Sequence, residues 1–298
     1  MPRTTGSLRS DATARLNDLA RLRPEWRSWT GLLDIAWQAV NDTGWSSPLD
    51  QTELGTIPSG SPQDAPLLHG RTLRLDAALA RRLVHRLASA AGEGDLQGGL
   101  SLQDFRPSPE EALSLISSAL RHDVDAMAAH AAEHGVDPGA LAAVAHLAAL
   151  PLLQSCGRQL EHRLPSFWHA GYCPVCAAWP VLAERRGLDR SRRLRCGRCA
   201  ADWEVPWLFC IYCGERNHAK LASLEPDDPG EKLKVETCAT CRGYLKSIAS
   251  LQGFSALELL LEDVGTVELD LVALERNYRR PRQSGFALEV HVVADASG

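Results

Sequence analysis

Eight of the nine cysteines in this 298-residue chain form four Cys-x-x-Cys pairs within residues 173–241. The pairs are Cys173/Cys176, Cys196/Cys199, Cys210/Cys213 and Cys238/Cys241. Two thiolates at positions i and i+3 can chelate one metal ion from a tight turn, and two such turns supply a tetrahedron of four sulfurs. The spacing therefore restricts this part of the chain to folds in which separate turns meet in space.

Disulfides and redox catalysis are weaker interpretations of the pairs. The first residues contain no apolar run of signal-peptide length, which predicts a cytoplasmic protein whose thiols stay reduced. The number of cysteines is odd, and a redox Cys-x-x-Cys motif normally occurs once, after a strand and at the start of a helix. The ninth cysteine, Cys156, stands alone in helical sequence and is predicted to be a small buried side chain.

The gaps between successive pairs are 19, 10 and 24 residues. A gap of 19 or 24 residues is long enough for a hairpin that leaves one turn and returns with the next, whereas 10 residues suit a connector. We therefore assign the first two pairs to one ion and the last two pairs to another. A cross-braced arrangement, first with third and second with fourth, remains open because spacing does not fix connectivity.

The residue after the second cysteine of such a turn usually needs a positive φ, which favours glycine. Gly214 fits this requirement, whereas Ala177, Ala200 and Arg242 occupy the same position in the other pairs. If those three residues adopt the left-handed conformation, each costs about 1 kcal/mol. A structural metal site supplies roughly 10–16 kcal/mol, so metal binding outweighs these departures.

Composition divides the chain into a helical part and a cysteine-rich part. Residues 1–165 show helical periodicity after a mobile arm of about 15 residues, which predicts an all-α domain. Residues 166–298 are predicted to form two four-cysteine modules (166–206 and 207–250) and a closing helical segment (251–298). The fold class is thus α+β, and the chain contains no stretch of about 18 uninterrupted apolar residues that would predict a membrane span.

The helical part contains a rival metal motif, the sequence HAAEH from His130 to His134. A His-x-x-Glu-His pattern occurs in a class of zinc peptidases, where two histidines bind zinc and the glutamate activates water. Gly135 follows at once and ends the helical pattern, so His134 lies at a helix C-terminus, where the helix dipole favours a cation. We interpret the motif as a pair at a helix end and predict no catalytic residue.

Seven arginines lie in the segment ERRGLDRSRRLRCGRC (184–199), whose only acids are Glu184 and Asp189. Arginine is a forked donor for carboxylate or phosphate. A solvated loop, a surface for an acidic partner and a nucleic-acid contact are all open, with Arg190, Arg192 and Arg193 as candidate partner-binding residues. The net charge of −5 argues against a general nucleic-acid binder.

The segments WHAGYCPVCAAWP, RLRCGRCAADWEV, CIYCG and CATCRGYLK together resemble the formate dehydrogenase accessory proteins of the FdhE type. The segment EDVGTVELDLVALERNYRR resembles the acidic closing part of that family, so the resemblance spans about Trp168 to Arg280. The chain departs from the family at Ala177, usually glycine, and in PWLFC, where a basic residue usually precedes the third pair. Besides the cysteines, the matching positions are Gly171, Trp203, Gly243, Tyr244, Leu245, Lys246, Asp263, Thr266 and Asp270.

The resemblance implies a helical domain joined to two rubredoxin-like modules, whose eight cysteines bind two ions of iron or zinc. It implies no turnover, but an accessory or chaperone-like role in the maturation of formate dehydrogenase, through binding of its catalytic molybdenum or tungsten subunit in the cytoplasm. A nucleic-acid-binding zinc ribbon and a rubredoxin-like redox protein are the alternative functions. Four thiolates accept either metal, and the sequence leaves the oligomeric state open.

Overall fold

A computed structural model of the protein describes residues 5–46, 48–49, 64–94, 97–225 and 232–295. The chain divides into two compact units. Unit 1 comprises residues 1–59, 68–159 and 288–298, and unit 2 comprises residues 60–67 and 160–287. Each unit is therefore assembled from segments that are separated in the sequence.

Unit 1 is a helical domain with one small sheet. Its helices are α1 (Thr5–Leu22), α2 (Arg27–Val40), α3 (Ala77–Glu93), α4 (Pro109–Arg121), α5 (Val124–His134), α6 (Pro138–Ala148) and α7 (Leu150–Leu160). Helix α3 packs against α2, α4 and α6. Helix α4 begins with a capping box, in which the Ser108 N–H donates to Glu111 (2.6 Å) and the Glu111 N–H donates to the Ser108 hydroxyl (3.1 Å).

The structure adds two elements near the ends of the chain that the sequence does not predict. Residues 5–15, predicted to lie in a mobile arm, are part of α1, where strong helix formers such as Ala14 and Arg15 surround the buried Leu16. The last described residues, predicted to belong to the cysteine-rich part, form strand β8 (Val290–Ala294), which pairs in parallel with β1 (Arg71–Leu75) in unit 1. This pairing is between residues more than 200 positions apart, so local pattern does not reveal it.

Unit 2 is built on a six-stranded sheet in the order β4-β3-β2-β7-β6-β5. The strands are β2 (Leu182–Arg186), β3 (Ser191–Arg195), β4 (Asp202–Glu204), β5 (Leu221–Leu224), β6 (Leu233–Cys238) and β7 (Tyr244–Ser250). Neighbouring strands are antiparallel except β2 and β7, which pair in parallel with Leu182 opposite Lys246. That parallel pair joins two three-stranded halves, one from each cysteine module, into one sheet.

Helices α8 (Ala256–Gly265) and α9 (Val267–Glu275) cover one face of this sheet. Leu259 of α8 packs with Leu182 and Ile248, and Leu269 of α9 packs with Val235. The same face carries Glu184, whose fully buried carboxylate pairs with Arg195 and Arg186 and accepts the Phe254 N–H at 3.1 Å. Buried charge on this face is therefore neutralised within the fold, as burial of an ion requires.

The predicted α+β class, with a helical N-terminal part and two four-cysteine modules, is confirmed. Two details differ: unit 1 contains the β1–β8 sheet and so is not all-α, and two helices, not one, close the cysteine-rich part. The predicted boundary lies after residue 165, whereas the two units divide after Gln159. Residues 60–67 belong to unit 2, and residues 288–298 belong to unit 1. Residues 64–67 join unit 2 through hydrogen bonds such as Leu67 N–H to the Pro174 carbonyl (2.7 Å).

One helical stretch among the described residues, Pro138–Arg163, has the length and apolar composition of a membrane span. The sequence predicts no span because polar residues such as Gln154 and Ser155 interrupt the stretch. In the structure 67% of its apolar window is buried within the protein. A core helix has the same composition, so the stretch is weak support for a membrane segment.

We predict that Glu184→Gln lowers the free energy of unfolding by about 3–5 kcal/mol, because it removes one partner of a buried ion pair and leaves the Arg195 charge uncompensated. Denaturant unfolding monitored by circular dichroism measures the change. Glu275→Gln, on the exposed side of α9, is the matched control and should change stability by less than about 0.5 kcal/mol. Equal effects of the two substitutions would contradict a structural role for Glu184.

Candidate metal centres

The structure brings the eight paired cysteines into two groups of four within unit 2. Cluster 1 contains Cys173, Cys176, Cys196 and Cys199, and cluster 2 contains Cys210, Cys213, Cys238 and Cys241; within each, the sulfurs lie within 4.8 Å of one another. The closest Sγ–Sγ distances are 3.4 and 3.5 Å in cluster 1 and 3.6 and 3.7 Å in cluster 2. A tetrahedron with metal–sulfur bonds of about 2.3 Å has edges of about 3.8 Å, whereas a disulfide requires about 2.05 Å.

All four Cys-x-x-Cys turns have the same backbone. The residue after the second cysteine is left-handed in each, with φ of 63° at Ala177, 61° at Ala200, 76° at Gly214 and 58° at Arg242. Its N–H donates to the carbonyl of the first cysteine of its turn at 2.9–3.1 Å. The left-handed conformation anticipated for the three non-glycine residues is therefore present, and it identifies the turns as four copies of one local motif.

We predict that Ala200→Gly stabilises the protein by up to about 1 kcal/mol, because glycine adopts a positive φ without the Cβ strain that alanine has there. The neighbouring Ala201 has no positive φ, so Ala201→Gly should instead destabilise it through the added freedom of the unfolded chain. Denaturant midpoints of the two variants give the comparison. A shift of the same sign in both would contradict strain at position 200.

The thiols of cluster 1 are too buried to ionise together without a cation. Burial raises the pKa of Cys173 and of Cys199 well above the usual thiol range. Burial also acts against ionisation of Cys196, but hydrogen bonds from the three other thiols outweigh it and lower the pKa of Cys196. A bound metal cation would supply the positive charge that stabilises the thiolates of Cys173 and Cys199 against burial.

Cluster 2 has the same electrostatic arrangement at a more exposed position. Burial raises the pKa of Cys210, and it raises that of Cys241 to about 11. At Cys238 burial is outweighed by the backbone N–H groups of Cys241 and Thr240, so its pKa is lowered. Cys213 and Cys241 are exposed, whereas every cysteine of cluster 1 is buried, so solvent reaches cluster 2 alone.

We predict two metal ions per chain, of which the ion at cluster 2 is the first to be removed by a chelator because two of its ligands are exposed. Elemental analysis of anaerobically purified protein gives the number of ions per chain. The absorption of a chromogenic chelator gives the rate at which each ion is removed. Cys238→Ser should abolish the fast phase and Cys196→Ser the slow phase, while Cys156→Ser, outside both clusters, should retain both ions. One ion per chain, or a fast phase that persists in Cys238→Ser, would contradict the assignment.

Close packing links the turns of the two clusters. A Cβ atom at Gly171 would overlap the Ile211 carbonyl, and one at Gly243 would overlap the Tyr212 ring. Tyr212, in the middle of the third turn, donates its hydroxyl to the Tyr244 carbonyl at 2.8 Å, and burial raises its pKa. Glycine is therefore required at both positions by contact. The role of Tyr212 was not predicted, because nothing in a Cys-x-x-Cys pattern distinguishes its middle residues.

The family motif around Lys246 forms a buried ion network. The Lys246 ammonium is fully buried and contacts Asp263 Oδ1 at 2.5 Å and Asp270 Oδ2 at 2.8 Å. Asp270 also accepts from the Tyr244 hydroxyl (2.8 Å) and from Arg280 (2.9 Å). Two acids of the closing segment thus neutralise buried cations, and they attach α8 and α9 to the sheet beside cluster 2.

The predicted partner surface of Arg190, Arg192 and Arg193 is not one exposed loop. Arg192 is only 4% exposed and donates to Glu236 at 2.5 Å and to the Pro206 and Phe209 carbonyls. Arg193 pairs with Asp202 at 2.5 Å, and Arg190 is the exposed residue of the three. The acids that neutralise these arginines lie outside the segment, on other strands, so the local excess of arginine was misleading.

The HAAEH motif makes contacts between helices. His134 Nε2 lies 3.1 Å from Glu111 Oε1, and His130 Nε2 lies 3.0 Å from the Ser114 hydroxyl, so α4 supplies both partners. His134 also ends α5, before the left-handed Gly135. The two histidines are therefore directed to separate partners on α4.

Cys156 is fully buried in α7.

The fold and its clusters define the class of the protein: a helical unit and a sheet unit that carries two closed four-cysteine modules of the zinc-ribbon or rubredoxin-like kind. Residues 208–286 match the family model described as "FdhE, C-terminal domain". The Protein FdhE homolog of Pseudomonas aeruginosa is 34% identical over 114 residues, which cover 36% of this chain and 37% of that protein. The Protein FdhE homolog of Stutzerimonas stutzeri is 35% identical over 111 residues, which cover 36% and 35%.

A solved structure resembles the whole chain. The crystal structure of the FdhE protein from Pseudomonas aeruginosa matches with a TM-score of 0.56 and 21% identity, over 96% of this chain and 98% of that one. At this identity the likeness concerns the fold. In sequence, the chain spans little more than a third of the length of the first curated relatives it matches. Together, these findings show that residues 208–286 are similar to the C-terminal domain of FdhE-type proteins and that the fold resembles that of an FdhE protein.

Proposed function

We propose that this chain is a non-catalytic accessory factor for the maturation of a formate dehydrogenase. It acts in the cytoplasm and binds the catalytic molybdenum or tungsten subunit of that enzyme through a metal-stabilised scaffold. The observation that carries the proposal is the pair of closed four-sulfur clusters in a chain of the FdhE type. The donor set accepts either iron or zinc, since both bind four thiolates.

Closed clusters support a structural role over a catalytic one. When all four positions around an ion are protein sulfurs, none remains for a substrate or for an activated water. Each cluster joins two turns from opposite ends of a module, so the ion holds together a module with little core of its own. In this role the clusters stabilise one conformation of the unit 2 surface, to which a partner binds.

The position of the arginines weighs against the nucleic-acid alternative. A nucleic-acid contact needs several cations that are free to reach phosphates. Arg186, Arg193 and Arg195 instead form ion pairs with Glu184 or Asp202, and Arg192 pairs with Glu236. A basic stripe is thus absent from the described residues of this segment, and Arg190 alone of the candidate residues stays in the proposed partner surface.

We predict that deletion of the gene strongly reduces formate dehydrogenase activity in a host that uses this enzyme, and that affinity-tagged protein from that host captures the catalytic subunit. Complementation with Cys196→Ser or Cys238→Ser should fail, because each loses one ion and loosens its module. Cys156→Ser should restore activity, since it lies outside both clusters.

The two arms of this test distinguish a maturation factor from its alternatives. Mass spectrometry identifies the captured protein, and a salt titration of binding to DNA and RNA measures any phosphate contribution. Normal formate dehydrogenase activity in the deletion strain, together with tight nucleic-acid binding at physiological salt, would overturn the proposal.

A further inference from the structure

The sheet of unit 2 has a second face, opposite α8 and α9, that carries a cleft. Side chains alternate along a strand, so Arg185 and Ser247 lie opposite the helix-covered face that holds Glu184 and Lys246. Residues 206–212 run over this second face and are tied to it by Arg192, which donates to the Pro206 carbonyl at 2.9 Å and to the Phe209 carbonyl at 3.2 Å. The space between has a volume of about 420 Å³. That is within the range of ligand sites, roughly 300–1,000 Å³.

The base of the cleft carries more basic side chains than acidic ones. Arg185 and Arg192 stand directly opposite each other on β2 and β3, both 4% exposed. Arg190 and Lys234 also line the cleft, against a single lining carboxylate, that of Glu236. Glu236 pairs with Arg192, and Lys234 pairs with Glu225 at 2.6 Å. Like charges directly opposite each other are unfavourable, so an anionic group of a ligand would be stabilised here.

The cleft contains buried polar atoms that have no hydrogen-bond partner among the described residues. The hydroxyl of Ser247, whose residue is fully buried, and Oε1 of Glu236 are among them. Polar atoms buried in this way normally find a partner. Oε1 of Glu236 needs an N–H or O–H donor, and the Ser247 hydroxyl accepts or donates. A ligand that fits this base therefore offers a hydrogen-bond donor as well as an anion.

The wall of the cleft is apolar and exposed. Trp207 and Leu208 are 49% and 58% exposed at its rim, and Phe209 and Leu221 line it further. Strand β5, which contributes Leu221 and Ser223, is an edge strand of the sheet, with β6 as its neighbour. Exposed apolar side chains beside an open strand edge are typical of sites that bind an extended chain.

We propose that this cleft binds an extended peptide segment in which an acidic side chain neighbours an aromatic or aliphatic one. The peptide backbone supplies the N–H donor for Glu236, the acidic group lies toward Arg185 and Arg190, and the apolar side chain packs on Trp207 and Leu208. A bare phosphate offers no such N–H and no apolar part. The proposal stands on the chemistry of the cleft and does not rest on the proposed function, since it holds whichever protein supplies the segment.

Fluorescence anisotropy with a dye-labelled peptide tests this directly on the metal-loaded full chain. The probe alternates aspartate with leucine and phenylalanine, and two control peptides carry asparagine for aspartate or serine for the apolar residues. We expect saturable binding of the probe at physiological ionic strength and binding of each control weaker by about tenfold or more. A single-stranded oligonucleotide and inorganic phosphate serve as competitors and should not displace the probe.

Three exposed positions provide variants that leave the core unchanged. Ser223→Trp should block the cleft, and Trp207→Ala should remove part of its apolar rim. Each substitution should weaken binding of the probe by about tenfold or more. Arg190→Ser should weaken it mostly at low salt, where attraction between charges is least screened. Trp29→Ala, at another exposed tryptophan, in α2, is the matched control and should leave binding unchanged.

Metal content and circular dichroism establish whether each variant is folded. If Ser223→Trp does not fold, binding of the probe to Trp207→Ala tests the proposal. No saturable binding of the probe, equal binding of the asparagine peptide, or binding that Trp207→Ala leaves unchanged would each overturn the proposal. Displacement by the oligonucleotide would also overturn it and assign the cleft to nucleic acid.

Discussion

Unit 2 depends on the electrostatics of four sulfurs confined in a small volume. With Sγ–Sγ distances of 3.4–3.7 Å, each cluster has the dimensions of a tetrahedron around one ion, and burial opposes ionisation of Cys173 and Cys199. A bound cation would remove that resistance, so metal binding would be coupled to folding of the module. The left-handed residues at Ala177, Ala200 and Arg242 show the strength of this constraint, because the turns keep one geometry even where glycine is absent.

The six-stranded sheet combines the two clusters into one structure with two different faces. Its parallel β2–β7 pair joins the halves, and α8 and α9 cover the face on which Glu184 and Lys246 are buried. The charges on that face are matched by partners within the unit. On the opposite face the cleft has more basic than acidic side chains, and Ser247 Oγ and Glu236 Oε1 lack hydrogen-bond partners among the described residues. The contrast separates a face that stabilises the fold from a face suited to binding.

How much could be predicted follows from the range of the interactions involved. The sequential grouping of cysteines, the helical N-terminal part and the strands after Trp168 follow from spacing and periodicity, which act over a few residues or one hairpin. The ion pairs of Arg192 and Arg193 could not be predicted because their partners are remote in the chain: Asp202 is on β4 and Glu236 on β6. Asp263 and Asp270 match the family motif, but their pairing with Lys246 is likewise a contact between residues remote in the chain.

By itself, the sequence determined the four cysteine turns, because each is closed by hydrogen bonds and sulfurs within six residues. It also determined the α+β class and, through the motifs around those turns, the resemblance to FdhE-type proteins. Only the tertiary structure decided which arginines are available to a partner, where the C-terminal strand pairs, and that a cleft lies beside the second cluster. These features depend on strand order and on which face of the sheet a side chain occupies, and both are set by contacts between residues far apart in the chain.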